Sequence, residues 1–373
     1  MKKALKLNVP IIYLNMVGGQ DELVFDGGSF VVDDLGEIIY QASSFKEEVF
    51  HLDIDLKIKK QNDKPSLLIR PKTIELKDIK SKPSMSENES IYSALKLGLL
   101  DYVSKNKFTK VLIGISGGID SALTAAICVD ALGAQNVIGV AMPSKYNSKD
   151  SLNDAIKLST NLGIKLKTIE IEKIVDSFRE TLKNSLNEEL GQITDENIQS
   201  RVRGNILMGL SNQTGAMVVS TGNKSEMAVG YSTLYGDLAG GFALIKDLYK
   251  SKVYELSNYR NSISEVIPKD IITKEPSAEL RPNQLDTDSL PDYEVLDKIL
   301  NLYIEQDSSS EKIIATGIQP DLVYDVLEKV DRNEYKRKQV APGVKLTQKA
   351  FGKDRRMPIT CLLYTSDAAD DWQ

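Results

Sequence analysis

Residues 114–121 read "GISGGIDS", with three glycines and two serines in eight positions, directly behind the apolar run 111–113. A chain that ends a buried strand on a glycine turn and then sets Asp120 and Ser121 at a helix start gathers backbone amides and hydroxyls at one spot. In a parallel sheet that spot lies on the carboxyl edge, where ligands bind at a topological switch point. The helix start adds unpaired N–H groups and the positive end of the helix dipole, and glycine lets the backbone approach closely. The combination favours a polyanion. It is not the Walker loop, because no lysine follows the glycines, and the spacing Gly-x-Gly-x-x-Gly fails as well. Ser116 and Ser121 can donate to phosphate oxygens, and Asp120 can ligate a Mg²⁺ ion bridging them.

Working outward, the pattern predicts a strand over 111–115, a helix over 121–132 closed at Gly133, and a strand over 137–142. A helix with Leu152, Ala155, Leu158 and Leu162 on one face follows, then strands over 166–171 and 217–220. Near-continuous apolar strands alternating with amphipathic helices indicate an α/β fold, a doubly wound parallel sheet covered on both faces. Residues 172–215 read as mostly helical, with a polar loop over 187–197. Beyond Lys250 come a helix, a loop marked by Pro276, Pro282 and Pro291, and helices near 292–304 and 319–331. Upstream, a helix starts at Ser86. Residues 57–85 read as a charged, proline-spaced linker, and 1–56 as β-structure. The last thirteen residues, "CLLYTSDAADDWQ" (361–373), continue no pattern and read as a non-native tail.

The 373 residues allow two domains, and 41% hydrophobic with 27% charged residues is ordinary for a globular protein. A net charge of −6 argues against a nucleic-acid reader, although a local basic patch could still hold an anion. Cys128 and Cys361 are the only cysteines and His51 the only histidine, which removes disulfide frameworks and zinc clusters. A Ser-His-Asp triad is removed too, unless His51 alone served it; His51 reads as a strand-edge or surface residue, and Cys128 as core packing. No apolar run reaches the length of a membrane span and no signal peptide opens the chain, so the cytoplasm is the expected compartment.

The string at 116–121 resembles the pyrophosphate loop of the ATP pyrophosphatase superfamily, whose members split ATP between the α and β phosphates and activate a substrate oxygen as an adenylate. A second string, "STGNKSEMAVGYSTLYGD" (220–237), is similar to NAD synthetase, in particular the synthetase domain of the glutamine-dependent form. So are "ENIQSRVRGNILMGLSN" (196–212), "KDLYKSKVYELSNY" (246–259), "KEPSAELRPNQLDTDSLPDYEVLD" (274–297) and "FGKDRRMPIT" (351–360). Together they place a synthetase domain at 86–360, with a Rossmann-like sheet of the adenine nucleotide alpha hydrolase type.

The resemblance implies that Gly114, Ile115, Ser116, Gly117, Gly118, Ile119, Asp120 and Ser121 hold ATP, with Thr221, Ser277 and Lys250 beside the phosphates and Met142 where adenine is received. It implies Asp120 and Lys250 as the catalytic groups and Asp120 with Glu226 as Mg²⁺ ligands. Deamido-NAD falls to Asn197, Arg201, Glu226 and Lys336. The basic cluster Lys336, Arg337, Lys338, Lys353, Arg355 and Arg356 gains a purpose beside that doubly anionic dinucleotide. Ammonia is the implied nitrogen donor, or glutamine in the longer family form, and the implied assembly is a homo-oligomer of at least two copies, with no nucleic acid or membrane partner. Residues 9–38 resemble the closing strands of a nitrilase-type glutaminase domain. Since no cysteine precedes Cys128, they are expected to be an inert remnant, poorly folded with open strand edges, at the start of a truncated chain. Two other readings share these residues: another adenylating enzyme of the superfamily, such as a GMP synthetase or a tRNA-thiolating enzyme, and a nucleotide-binding fragment without turnover.

Overall fold

Strands that are apolar on both faces need cover on both sides, and the order in which the chain supplies that cover sets the topology. The computed structural model describes residues 1–52, 54 and 85–360. The chain runs α1 (Lys2–Leu7), β1 (Ile11–Tyr13), β2 (Val17–Gln20), β3 (Leu23–Asp26), β4 (Phe30–Val32) and β5 (Ile38–Gln41). It continues through α2 (Glu87–Lys105), β6 (Val111–Gly114), α3 (Ile119–Leu132), β7 (Val137–Ala141), α4 (Lys149–Leu162), β8 (Lys165–Thr168), α5 (Glu172–Leu186) and α6 (Gln192–Thr214). Then come β9 (Met217–Ser220), α7 (Lys224–Val229), β10 (Phe242–Ala243), α8 (Lys250–Ile263), α9 (Lys269–Thr273) and α10 (Tyr293–Leu300). A π-helical turn (Asn301–Glu305) leads to α11 (Ser310–Ile314), α12 (Pro320–Arg332) and α13 (Glu334–Arg337).

Five parallel strands form the central sheet in the order β10-β9-β6-β7-β8. On β6, Val111 and Ile113 face one side, packed with Leu95 and Leu99 of α2 and Leu123 and Ile127 of α3. Leu112 faces the other, with Val140, Val218 and, from α6, Leu207 and Leu210. The doubly wound α/β class expected from the alternation is what forms. From β6 the chain moves through α3 to β7 on one side, whereas β9, the other neighbour, leads through α7 to β10. The carboxyl ends of β6 and β9 therefore part around a crevice, the switch point of the sheet.

Several boundaries differ from the sequence expectation. The helix after the glycine loop begins at Ile119 with Gly118 as its N-cap, so Asp120 and Ser121 lie inside its first turn. The polar loop expected over 187–197 is shorter, because α6 starts at Gln192. The strand expected over 166–171 ends at Thr168, yet its backbone keeps bonding to the β7 side, from Ile169 N–H to Ala141 C=O (2.9 Å) and from Ile171 N–H to Pro143 C=O (3.1 Å).

Residues 1–52 hold a helix, α1, besides strands, and form an ordered sheet β1-β4-β5 and a hairpin β2-β3 rather than a loose remnant. The hairpin docks on α2 at a glycine contact, where a Cβ on Gly19 would sit 3.1 Å from Gly98 Cα. Asp101 accepts from Gly19 N–H at 2.7 Å and Lys105 donates to Gly19 C=O at 2.6 Å, which closes the contact. The linker expected at 57–85, apart from its last residue, and the tail from 361, with Cys361, lie outside the described residues. Among the described residues no helix is long and apolar enough to cross a membrane.

Candidate active site

The glycine loop is braced from within. Ser121 is buried; its hydroxyl donates to Gly118 C=O at 3.0 Å, accepts from Ser116 N–H at 3.3 Å and lies 3.1 Å from Ser116 Oγ. Ser116 Oγ accepts from Gly118 N–H at 3.2 Å while the residue itself is exposed. Ser121 thus holds the loop's shape, and Ser116 is the hydroxyl at its rim. Gly117 has φ +83° and a Cβ there would stand 2.3 Å from the Ser151 carbonyl oxygen, so only glycine lets the loop press against the start of α4.

Across the switch point, Asn223 caps α7. Its side chain accepts from Glu226 N–H at 3.0 Å, and Glu226 returns the bond to Asn223 N–H at 3.4 Å. The Asn223 amide also donates to Asp120 Oδ1 at 2.9 Å, joining the first turns of α3 and α7. Lys250, the first residue of α8, lies between the two carboxylates, 2.5 Å from Asp120 Oδ2 and 3.3 Å from Glu226 Oε1. Burial works against the charge on Lys250, but Asp120 and Glu226 outweigh it and hold the ammonium above the usual lysine value. Burial, with Asp120 and Asp286 as neighbouring negative charges, pushes the Glu226 carboxyl up to about 8 against the pull of Lys250. Asp286, which accepts from Tyr293 O–H at 2.8 Å, is likewise raised by burial.

One ammonium leaves these three carboxylates short of positive charge. Asp120 and Glu226 therefore suit Mg²⁺, a hard cation that takes one or two carboxylates and completes its shell with phosphate oxygens and water. Among the described residues no three His, Cys, Asp or Glu side chains form a ready metal cage, so a phosphate ligand would have to complete the set.

A cavity of about 590 Å³ opens in the crevice. Of the residues expected in the site, Gly114, Ile115, Ser116, Gly118, Ile119, Asp120, Met142, Asn197, Lys250, Ser277 and Lys336 line it. Gly117, Ser121, Thr221 and Glu226 stand behind this lining, with Glu226 reaching it through Lys250. Arg201 is exposed and donates to Leu234 C=O at 3.2 Å, outside the cavity wall. Lys336 points back to the carbonyls of Gly230 (2.7 Å) and Ser232 (2.9 Å), and burial lowers its ammonium below the usual value. Asn197 accepts from the Thr233 hydroxyl at 2.7 Å. Of the basic cluster, Arg337 is buried on the carbonyls of Ala228 and Val330, and Arg355 stacks on Tyr303, so both serve the scaffold. Cys128 is fully buried in α3, as expected.

The sequence reading missed several lining residues. Arg203, on α6, donates to Met142 C=O and to Asn147 Oδ1, both at 3.0 Å. Glu279 reaches from the proline-marked loop to Ser151 Oγ (2.5 Å) and Asn147 Nδ2 (2.7 Å), with Lys274 at 3.0 Å. Burial would raise the Glu279 carboxyl, but these bonds outweigh it and hold it below its usual value. They fasten the loop over the glycine turn. Ser220, at the end of β9, lines the cavity with a buried hydroxyl that has no partner among the described residues, a donor that a ligand could use.

Fold and site together define a doubly wound α/β protein whose switch point carries a glycine loop at a helix start, without a Walker lysine. The chain belongs to the NAD synthase family, whose model matches residues 91–340. A glutamine-dependent NAD(+) synthetase of Thermotoga maritima is 50% identical over 380 residues, covering 96% of this chain and 66% of that protein. The structure of glutamine-dependent NAD+ synthetase from Acinetobacter baumannii in complex with ADP is 45% identical, with a TM-score of 0.66 over 96% of this chain and 63% of that one. An NH3-dependent NAD synthetase from Campylobacter jejuni, solved with nitrate, is 30% identical, with a TM-score of 0.56 over 68% of this chain and 96% of that one. The chain spans between 61% and 66% of the length of the curated glutamine-dependent relatives it matches.

Proposed function

We propose that this chain amidates deamido-NAD to NAD at the expense of ATP, with ammonia as the nitrogen donor. The observation that carries the reading is Lys250 held between Asp120 and Glu226 beside the glycine loop, in a cavity that Asn197 and Lys336 also line. ATP lies with adenine toward Met142 and its terminal phosphates at the start of α3, on the amides of Gly117 and Ile119, since those of Ser116 and Gly118 bond within the loop, and the helix dipole there favours negative charge. Ser277 borders the same phosphates from the cavity wall, with its hydroxyl held by Gln284 C=O and Glu279 N–H, and Thr221 lies outside that lining. Mg²⁺ bound by Asp120 and Glu226 would neutralise phosphate charge there.

A carboxylate oxygen of the nicotinate group attacks the α-phosphorus, the α–β phosphoanhydride bond breaks, and pyrophosphate leaves with the electron pair, forming an NAD-adenylate. Lys250 stabilises the charge gathering on that leaving group, a role worth about 3–4 kcal/mol for one well-placed donor. Ammonia then attacks the acyl carbon, the acyl–oxygen bond breaks, AMP departs and one proton is lost from the nitrogen. Neither step needs a thiol or imidazole. Cys128 is sealed in α3 with its thiol pushed up by burial, so it takes no part in either step.

The test is NAD and AMP formation from ATP, Mg²⁺ and deamido-NAD, with ammonium in one reaction and glutamine in another. Product with ammonium alone is expected. Product with glutamine would overturn the donor assignment. ATP binding without AMP in either reaction would favour an enzyme for another acceptor, or a silent nucleotide binder.

A further inference from the structure

Among the described residues, Lys224 is one of the largest side chains sealed completely inside the protein. Its Nζ meets Glu305 Oε1 at 2.5 Å, Thr347 Oγ1 at 2.6 Å, Asp247 Oδ1 at 2.8 Å and Lys349 C=O at 3.0 Å. The rings of Tyr249 and Phe351 lie 5.1 and 5.6 Å from it. None of these residues borders the cavity. A buried ion pair is a poor source of stability, because desolvation of each ion costs several kcal/mol and a packed apolar side chain often does as well. Stability alone therefore does not account for a lysine here.

Its place in the chain does. Lys224 is the first residue of α7, between Asn223, which bonds Asp120, and Glu226, which bonds Lys250. Its own N–H donates to Leu248 C=O at 2.8 Å, and the next residue, Ser225, accepts from Lys250 N–H at 2.9 Å. Each partner of the ammonium is tied to another. Asp247 accepts from the N–H groups of Leu346 (2.7 Å) and Thr347 (2.8 Å), and Glu305, at the end of the π-turn, accepts from Lys349 N–H at 2.7 Å. One ammonium thus clamps the first turn of α7 to the segment entering α8, to the π-turn and to residues 347–349.

We propose that Lys224 is a positioning residue, which through this bracket holds Asn223 and Glu226 in register with Asp120 and Lys250. The proposal rests on the reading of those four residues as the adenylation centre.

Lys224→Met alone strands two buried carboxylates and is a poor probe of position. The double variant Lys224→Met/Glu305→Gln removes a negative charge with the positive one, and Thr347→Val removes a single bond with all charges kept. Three readouts are taken on the full chain: melting temperature, hydrogen exchange at amides 223–229, and kcat and KM for ATP. The double variant is expected to melt within a few degrees of the unaltered protein, yet to exchange faster at 223–229 and to lose about tenfold or more in kcat, the scale expected for a slightly misplaced group. KM for ATP is expected to change less than kcat. Thr347→Val should show the same pattern weakly. Unaltered exchange at 223–229, or a rate that merely tracks the folded fraction, would overturn the bracket. If the unaltered protein forms no NAD, the adenylation reading falls by itself, and exchange in α7 decides the bracket alone.

Discussion

Two buried lysines, each facing two carboxylates, stand at the starts of successive helices α7 and α8, and they do opposite things. Lys224 is sealed, and carboxylates, a hydroxyl and a carbonyl use up its donors. Lys250 lines the cavity, and its partners Asp120 and Glu226 stand at the switch point. The Lys250 group carries excess negative charge that a phosphate–metal ligand can rearrange, whereas the Lys224 group is balanced by neighbouring N–H donors and leaves nothing to bind. Chemical type does not separate a functional ion pair from a structural one; access and unspent charge do.

The sharpest way to break that contrast is to neutralise each lysine in turn. Lys224→Met should cost about 3–5 kcal/mol of folding stability, since Asp247 and Glu305 stay buried without their cation. Lys250→Met should cost less stability, because Asp120 lines the cavity, where water can solvate it, and burial already favours the neutral form of Glu226. Its penalty should fall on turnover instead, about 10²–10³ in kcat. Denaturant unfolding and steady-state kinetics on both variants check the pair. Equal losses in both measurements for both residues would dissolve the distinction.

A smaller effect separates the glycines of the loop. Gly117→Ala puts a methyl group 2.3 Å from the Ser151 carbonyl oxygen at φ +83°, so the loop must leave α4. A loss of about 1–3 kcal/mol and much weaker ATP binding are expected, read by thermal melting and calorimetric titration. At Gly118, with φ −97° and a hydroxyl as the nearest neighbour at 3.3 Å, alanine should cost about 0.5–1 kcal/mol, since glycine is the better N-cap but no backbone must move.

What could be read in the sequence follows the same division. The glycine loop was legible because its geometry is local: a strand, a turn that only glycine can make, and a helix start lie within a dozen residues. The doubly wound sheet was legible because strands 111–114, 137–141 and 217–220 are apolar on both faces. Arg203, Glu279 and Lys224 were not, because each acts through partners that the fold brings from far away, as Glu279 does to Ser151 and Lys224 to Thr347. A lysine or glutamate read alone is by default a solvated surface group, and no periodicity marks the exceptions. The short loop before α6 and the helix α1 were missed for a plainer reason: their polar residues carry no face pattern until a neighbour packs on one side.

The carboxyl of Glu226 offers a pH test of unspent charge. Its value in the folded protein, about 8, lies above the value of about 4.3 for a glutamate in an unfolded chain. Between those limits the folded protein keeps a proton that the unfolded chain has released, so stability falls as pH rises through that window. Glu226→Gln should flatten this part of the stability–pH curve while abolishing most of the Mg²⁺ response of ATP binding. In the unaltered protein, Mg²⁺-dependent ATP binding should strengthen as pH approaches 8, because metal and proton compete for one carboxylate. An unchanged slope in the variant would mean that Glu226 is already ionised across this range, and that the pull of Lys250 outweighs burial and the charges of Asp120 and Asp286.

The weakest effect expected is at Arg201. The resemblance implied a contact with the second substrate, yet the side chain is exposed, bonded to Leu234 C=O, and outside the cavity wall. An exposed guanidinium with one carbonyl partner contributes little on its own, and surface changes of this kind usually stay within about 0.5 kcal/mol. Arg201→Ala should therefore leave kcat and the melting temperature nearly unchanged and raise KM for deamido-NAD by no more than about twofold, the shift that 0.5 kcal/mol allows. Lys336→Ala gives the comparison: the residue lines the cavity and its ammonium holds the carbonyls of Gly230 and Ser232, which line it too, so its removal should raise the same KM several-fold more. A large KM effect at Arg201 would mean that the side chain swings from Leu234 to the dinucleotide on binding, and that the acceptor half of the site, unlike the braced phosphate loop, takes its final shape only around its substrate.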